Sequence, residues 1–539
     1  MIAAPSRRTL LTGALASLTV SASAAPARAA FPRRPNFVVI LADDLGWGEI
    51  GSQGQRLIAT PNLDRMAREG VRFETAYSGA PLCAPSRCSL LTGMHAGHGT
   101  VRENPEGGPQ HSLSEADLTF GELLQLAGYR TACIGKWGFG PELPDQPSHP
   151  NERGFGEFFG YIGHRHAHQY YPDYLWHNGG RVTLGREAFA PDLFLRRAVE
   201  FVKQPSDDPF LLYFATNLPH APSVVPGNAG RYKDKPWSRA NRRHAAQVGR
   251  LDSDVATLLG ALREAGVADD TVVLFTSDNG PHREKGVTPW LFDSNGPYRA
   301  DKRDLYEGGI RVPLIAWSPK MRARVVSEPV TLYDVLPTLA DLAEVPAPAA
   351  IDGRSFRKLL NGGRRRGHDH LVWNRPRKAQ AIRRGRWKAL RFAPGIAGAG
   401  PEGRVELYDL ATDLGETRDL AGRRPELVAE LLALLDASIG DDPRTPYGLR
   451  VEGAGDQVTV ALVNGSKVPW RRVTLALTTP RGQRVAGRRE VTLLPGEEVS
   501  EVFTVRGRGA VTASAGFATG GTGGRRHTFR RAHRLRTLT

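Results

Sequence analysis

Four apolar runs in this 539-residue chain each give way at once to a polar cluster, and that pattern constrains the fold more than any other feature. Asn36–Leu41 leads into Asp43-Asp44, and Tyr129–Gly135 into Lys136-Trp137. Pro209–Ala215 leads into Asn217 to His220, and Thr271–Thr276 into Asp278-Asn279. A shorter run lies at Pro313–Trp317. Continuous apolar runs of this length mark strands buried on both faces. Helical patterns lie between them. Thr119-Phe120-Gly121-Glu122 reads as a capping box for a helix to Ala127 stopped by Gly128, and a longer helix spans about Arg239 to Glu264. Strand–helix alternation predicts an α/β fold whose large, mainly parallel sheet is sandwiched by helices. Ligands of such sheets bind outside the carboxyl ends of the strands. A sheet edge has no structural need of acids there; a site does.

The pattern changes twice further along. The composition shifts at Pro346–Ala350, giving a first large domain at 35–345 and a smaller α+β subdomain at 346–440 that closes on a helix, Pro425–Leu435. Val458–Val463, Val473–Leu477, Val491–Leu494 and Val499–Val505 are short, partly alternating strands. Turns such as Asn464-Gly465 and Pro495-Gly496-Glu497 separate them. They predict an appended immunoglobulin-like β-sandwich at 445–518, followed by an Arg/Gly-rich, disordered tail at 519–539.

The formal charge is +16, from 72 Lys and Arg against 56 Asp and Glu, which raises nucleic acid as a partner. The charge is local, however. Residues 1–34 carry +5, residues 351–391 carry +12 and residues 503–539 carry +8, so the remainder is −9. With no basic stripe interleaved with aromatics and no recognisable module, a nucleic-acid partner is excluded. Residues 1–29 read as a signal peptide: Ser6-Arg7-Arg8-Thr9-Leu10-Leu11 opens an apolar run to Ala25, and Ala27-Arg28-Ala29 supplies small residues for cleavage. Paired arginines before a mild apolar run resemble a bacterial twin-arginine signal, the rival being an ordinary secretory signal. The expected product is exported, periplasmic or extracellular, with export machinery as a partner and no membrane span. Three cysteines, Cys83, Cys88 and Cys133, allow at most one bridge, so an unpaired thiol remains to be explained.

Pro81-Leu82-Cys83-Ala84-Pro85-Ser86-Arg87-Cys88-Ser89-Leu90-Leu91-Thr92-Gly93 supplies the explanation. It resembles the signature of type I sulfatases, formylglycine-dependent, arylsulfatase-like enzymes of the alkaline phosphatase superfamily. The resemblance implies that Cys83 is oxidised to formylglycine by a formylglycine-generating enzyme that reads Pro85 and Arg87. It implies that the hydrated aldehyde is the nucleophile. A gem-diol suits sulfate transfer, because one hydroxyl attacks sulfur and the other expels sulfate by collapsing to the aldehyde. Independently of any relative, Pro85 disfavours helix at Ala84, so a helix is expected from about Ser86, with its free N–H groups and positive end toward residue 83.

Asp43, Asp44, Asp278 and Asn279 offer hard oxygen ligands, which suit calcium or magnesium rather than zinc. The resemblance implies that these four, with the modified Cys83, hold one divalent ion, usually calcium. It makes Arg87, Lys136, His220 and Lys302 the remaining catalytic residues. His220 lies in Pro219-His220-Ala221-Pro222 and Lys302 precedes Glu307-Gly308-Gly309-Ile310-Arg311-Val312-Pro313. Gly135-Lys136-Trp137 departs from the family's Gly-Lys-Trp-His in having Gly138, where the family histidine acts as a base. His164, His166 and His168 alternate nearby and are candidates to fill that gap or to bind substrate; solvent-exposed loop histidines are the bland alternative. The expected activity is hydrolysis of sulfate monoesters of aryl, sugar or glycan substrates. Two rivals remain: a phosphonate monoester or phosphodiester hydrolase with the same nucleophile, and a sulfatase-like protein that binds sulfated glycans without turnover. The +12 segment raises one further expectation, that it attracts polyanionic substrates.

Overall fold

A computed structural model describes residues 34–439, apart from 106–109, 115–116, 145, 349, 397–399 and 401–402, together with strands between 450 and 534. The expected signal peptide, and the Asn464-Gly465 and Pro495-Gly496 turns, lie outside the described residues.

A ten-stranded mixed sheet runs in the order Arg324–Val326, Val71–Phe73, Leu314–Trp317, Thr271–Ser277, Asn36–Ala42, Phe210–Ala215, Arg130–Lys136, Glu157–Tyr161, Tyr174–His177, Gly180–Thr183. The five strands from Thr271–Ser277 to Glu157–Tyr161 are mutually parallel, and antiparallel pairs flank them. The four apolar runs read from the sequence are therefore neighbours in one sheet. Their polar carboxyl ends lie side by side.

Alternation in the central strand explains its uninterrupted apolar character. Phe37, Val39 and Leu41 belong to one core, Val38, Ile40 and Ala42 to the other, and all six are at most 1% exposed. The helices Cys83–Thr92, Phe120–Leu126 and Val335–Leu342 cover the first face. Pro61–Glu69, Ala190–Lys203 and Arg239–Glu264 cover the second. Thr119 caps its helix as expected, accepting from Glu122 N while the Glu122 carboxylate accepts from Thr119 N.

The helix bearing Cys83 begins earlier than its proline suggests. It spans Cys83–Thr92, with Leu82 as the N-cap. Pro85 falls in the first turn, where an N–H has no intrahelical partner to lose, so the ring is tolerated. The free Ala84 N–H donates instead to the Asn104 side chain at 3.0 Å.

The C-terminal subdomain is a four-stranded antiparallel sheet, Leu371–Arg375, Ala379–Arg384, Trp387–Phe392 and Arg404–Asp409. Helix Pro425–Ile439 packs on one face. The other face packs on Tyr77, Tyr306, Ile310 and Tyr333. Lys388, fully buried, joins Glu307 at 3.0 Å and Glu416 at 2.9 Å across that contact. Beyond residue 450, a three-stranded and a five-stranded antiparallel sheet share a core of Val458, Val460, Leu462, Val473, Leu475, Leu477, Leu493 and Phe503. The expected disordered tail is partly a strand. Arg526–Arg534 pairs antiparallel with Ala510–Thr519, which would otherwise present unpaired backbone groups at the sheet edge.

Candidate active site

The site is assembled at the carboxyl ends of the four central parallel strands. Asp43 and Asp44 follow the first, Lys136 ends another, and Asp278 and Asn279 follow a third. His220 comes from the loop after Phe210–Ala215. Asp43, Asp44, Cys83, Arg87, Lys136, Asp278 and Asn279 have no exposed surface, and His220 and Lys302 have 2% and 4%. Asp44 takes a left-handed backbone (φ 66°), which a short polar side chain tolerates, and its N–H donates to Asp278 Oδ1 at 3.0 Å.

Cations and carboxylates interlock around Cys83. Lys136 Nζ donates to Asp43 Oδ1 and Oδ2 at 3.0 and 2.7 Å. Arg87 donates through Nε to Asp278 Oδ2 at 3.0 Å and through Nη1 to the Lys136 carbonyl at 2.8 Å, and its Nη2 lies 3.5 Å from Asp43 Oδ1. Lys302 Nζ reaches Asp44 Oδ2 at 2.6 Å and lies 3.1 Å from His220 Nε2. Cys83 Sγ is 3.7 Å from Asp44 Oδ1. The sequence-derived residues Asp43, Asp44, Cys83, Arg87, Lys136, His220, Asp278, Asn279 and Lys302 thus form one buried network.

Burial and charge pull these groups in opposite directions. Burial alone raises Asp43, but Lys136, with Arg87 and Lys302, outweighs it and holds the carboxyl well below its ordinary value. Burial, with Asp43 beside it, pushes Asp278 up to about 7. Burial and Lys302 push His220 well down, so the imidazole is neutral. Burial raises the Cys83 thiol well above its ordinary value, so an unmodified cysteine there is a poor nucleophile. Three carboxylates (Asp43, Asp44, Asp278) face three cations (Arg87, Lys136, Lys302). The side chains alone sum to neutral, and a divalent ion would add +2, which a sulfate dianion balances.

The donor set fits a hard divalent cation. Asp43, Asp44, Cys83 and His220 offer ligand atoms within 4.8 Å of one another. Asn279 Oδ1 is buried with no hydrogen-bond partner while its Nδ2 donates to Asp44 Oδ1 at 2.7 Å, so an amide oxygen is held open beside the carboxylates. All three cysteines are buried and free, so Cys88 and Cys133 form no bridge. A second cluster, His95, His98 and Asp352, lies past the other end of the Cys83 helix. There Asp352 accepts from His95 N at 3.0 Å and meets His98 Nδ1 at 2.9 Å, tying the loop after Gly93 to the following domain segment.

The three alternating histidines part company. His168 stacks on His220, with centroids 4.4 Å apart and planes at 14°, and His164 packs edge-on against His168 at 5.1 Å. His166 turns to Glu142 at 3.1 Å and packs on Tyr161 and Tyr174. Sequence reasoning passed over two residues of the site. Glu284 lies 3.3 Å from Lys302 Nζ, and His282 stacks on His220 at 5.9 Å and lies 3.3 Å from the Pro219 carbonyl. The available signal was position: both follow within five residues of Asn279.

A family model described as Sulfatase matches residues 35–345, more than half of the chain. The chain belongs to the sulfatase family. A model described as N-sulphoglucosamine sulphohydrolase, C-terminal, matches residues 297–439, so the sulfatase match includes the four-stranded subdomain. Similar proteins include mouse (Mus musculus) steryl-sulfatase, 31% identical over 80% of this chain and 85% of that protein. Human arylsulfatase A is 33% identical over 76% and 89%, and human N-acetylgalactosamine-6-sulfatase 34% over 62% and 67%. Among solved structures, Ps i-CgsB in complex with k-i-k-neocarrahexaose matches at TM-score 0.68 and 28% identity, over 77% of this sulfatase and 94% of that chain. The strands beyond residue 450 lie outside both family models.

The basic stretch at 351–391 is largely neutralised in the fold. Arg365 pairs with Glu328 and Asp334, Arg384 with Glu430, Arg386 with Asp409, Lys388 with Glu307 and Glu416, and Arg391 with Asp436. Those acids come from elements outside the stretch. The expected attraction of polyanions by this segment loses most of its charge.

Proposed function

We propose that this protein is an exported sulfuric ester hydrolase that cleaves sulfate monoesters of sugars or glycans, aryl sulfates serving as simple substrates. One observation carries the reading. Within a sulfatase-family fold, Cys83 occupies the first turn of a buried helix, and Arg87, Lys136, Lys302 and His220 are joined to the acids around it. Formylglycine at position 83, made by a formylglycine-generating enzyme during maturation, would supply the nucleophilic oxygen. The raised thiol supports this, since neither the thiol nor its ester with sulfate suits turnover.

Asp43, Asp44, Asp278 and Asn279 would hold one divalent ion, calcium by preference, which supplies positive charge for the sulfuryl oxygens. Lys136 and Lys302 would share that task by turning from the carboxylates to the substrate, in a dry site where charge stabilisation is strong. His220, neutral and within reach of Lys302, would carry the proton that the leaving oxygen takes. The glycan preference rests on similarity to N-acetylgalactosamine-6-sulfatase and to the structure of Ps i-CgsB with k-i-k-neocarrahexaose. Export rests on the paired-arginine N-terminus. No helix of the described residues is long and apolar enough to cross a membrane.

Parallel kinetics on nitrophenyl sulfate and phenylphosphonate test the reading. Faster turnover of the sulfate, lost in Cys83→Ala, is expected; faster turnover of the phosphonate would transfer the protein to the phosphorus-ester class.

A further inference from the structure

Hydrolysis through a hydrated aldehyde at residue 83 needs two proton transfers: one carries the proton of the attacking hydroxyl to the leaving oxygen, and a second takes the proton of the other hydroxyl. His220 serves the leaving oxygen. The second transfer, which lets sulfate go, needs a base near the other hydroxyl.

Position 138 cannot supply it. Gly138 has φ 96°, a conformation L side chains rarely adopt, and a Cβ there would meet only Arg87 Cδ, at 3.7 Å. The Gly138 carbonyl instead accepts from Gln110 Nε2 at 2.7 Å, and Gln110 Oε1 accepts from His164 N at 2.9 Å. One glutamine thus clamps the start of the histidine-bearing segment to the strand end beside Lys136. From there His164 braces His168, and His168 lies flat against His220. His168 Nε2 and His164 Nδ1 are both buried without a hydrogen-bond partner. Buried polar atoms in native proteins are normally satisfied, so two open imidazole nitrogens in the stack that ends on His220 are available to meet a group during turnover.

We propose that His168 is the base of the sulfate-release step and that His164 positions it. His168 Nε2 accepts the proton of the free hydroxyl on residue 83. The pair from the broken O–H bond completes the C=O bond, the C–O bond to sulfate breaks, and its electrons leave on sulfate. His168 then gives the proton to water, and addition of water to the aldehyde restores the hydrate.

This rests on the sulfatase reading, and the test keeps the two apart. Full-length His168→Gln is prepared with formylglycine at position 83 verified by peptide mass, then mixed rapidly with nitrophenyl sulfate. The expected result is a burst near one equivalent of nitrophenol, then a steady rate lower by roughly 10²–10⁴, with sulfated enzyme visible in the intact mass. His164→Ala should show the same burst with a smaller loss of kcat and an unchanged kcat/KM, because the slowed step follows the covalent intermediate. His168→Asn serves as the second variant if the glutamine form does not fold. A linear time course with no sulfated enzyme, or a raised KM with kcat intact, would overturn the proposal by making His168 a substrate contact. Wild-type enzyme that carries formylglycine yet hydrolyses no sulfate ester would instead overturn the parent reading.

Discussion

Replacing Arg87 by methionine probes the electrostatic frame of the site, because the guanidinium bridges both acidic strand ends. It donates through Nε to Asp278 at 3.0 Å, pairs with the same carboxylate through Nη2 at 2.8 Å, approaches Asp43 at 3.5 Å and holds the Lys136 carbonyl at 2.8 Å. All of these groups have no solvent exposure. Methionine preserves much of the volume, so the loss is chiefly electrostatic. Removing one partner of a buried ion pair costs about 3–5 kcal/mol, since the other charge is left uncompensated. For a domain of this size 1 kcal/mol moves Tm by about 2 °C, so a fall on the order of 6–10 °C is expected. The sign of its pH dependence follows as well. With Arg87 gone, Asp43 and Asp278 repel, and either can be relieved by a proton, so the deficit should shrink as pH falls from 8 toward 5. Differential scanning calorimetry of wild type and variant, both in chelator, measures this. A fall under about 2 °C, or one independent of pH, would refute the reasoning.

Calcium at a thousandfold excess over its Kd should raise unfolding stability by about 4 kcal/mol, and inorganic sulfate should tighten calcium binding because the occupied site needs a dianion for neutrality; titration calorimetry with and without sulfate reads the coupling, and independence would deny it. Asp254→Asn should raise Tm at pH 8 and bring no gain at pH 4. The wild-type carboxyl is pushed by burial to about 7 against an ordinary 3.8 and has an unpartnered buried Oδ2, so its folded state loses stability as pH rises between those values. A chain ending at residue 441 should remain folded and keep its kcat on nitrophenyl sulfate, because the strands beyond 450 carry a core of their own; insoluble or inactive protein would show that the sandwich supports the catalytic part.

Much of the fold was legible because parallel strands buried on both faces leave uninterrupted apolar runs, and the long helix Arg239–Glu264 was found at its observed ends. The site was legible for a related reason. Acids, a lysine and a histidine at or just after four strand ends have no structural role unless those ends converge, and the sheet order makes them neighbours. What the sequence hid was pairing across distance. The +12 of residues 351–391 looked like a basic surface, yet Glu328, Asp334, Glu307, Glu416, Glu430 and Asp436 neutralise much of it from elsewhere in the chain. His282 and Glu284 were passed over because a motif ending at Asn279 carries no cue that the next turn folds back onto His220 and Lys302. The early start of the Cys83 helix was missed because a proline in a first turn lacks no bond that the helix would have made. The strand Arg526–Arg534 was missed because its Arg-rich composition outweighed the open sheet edge that receives it.

Formylglycine at position 83 is the central claim, and trypsin isolates it in the peptide Phe73–Arg87. Mass spectrometry of that peptide, from enzyme purified from its own host and active on a sulfate ester, should find the aldehyde or its hydrate in place of the thiol. Cys83 present wholly as unmodified cysteine in active enzyme would contradict the account.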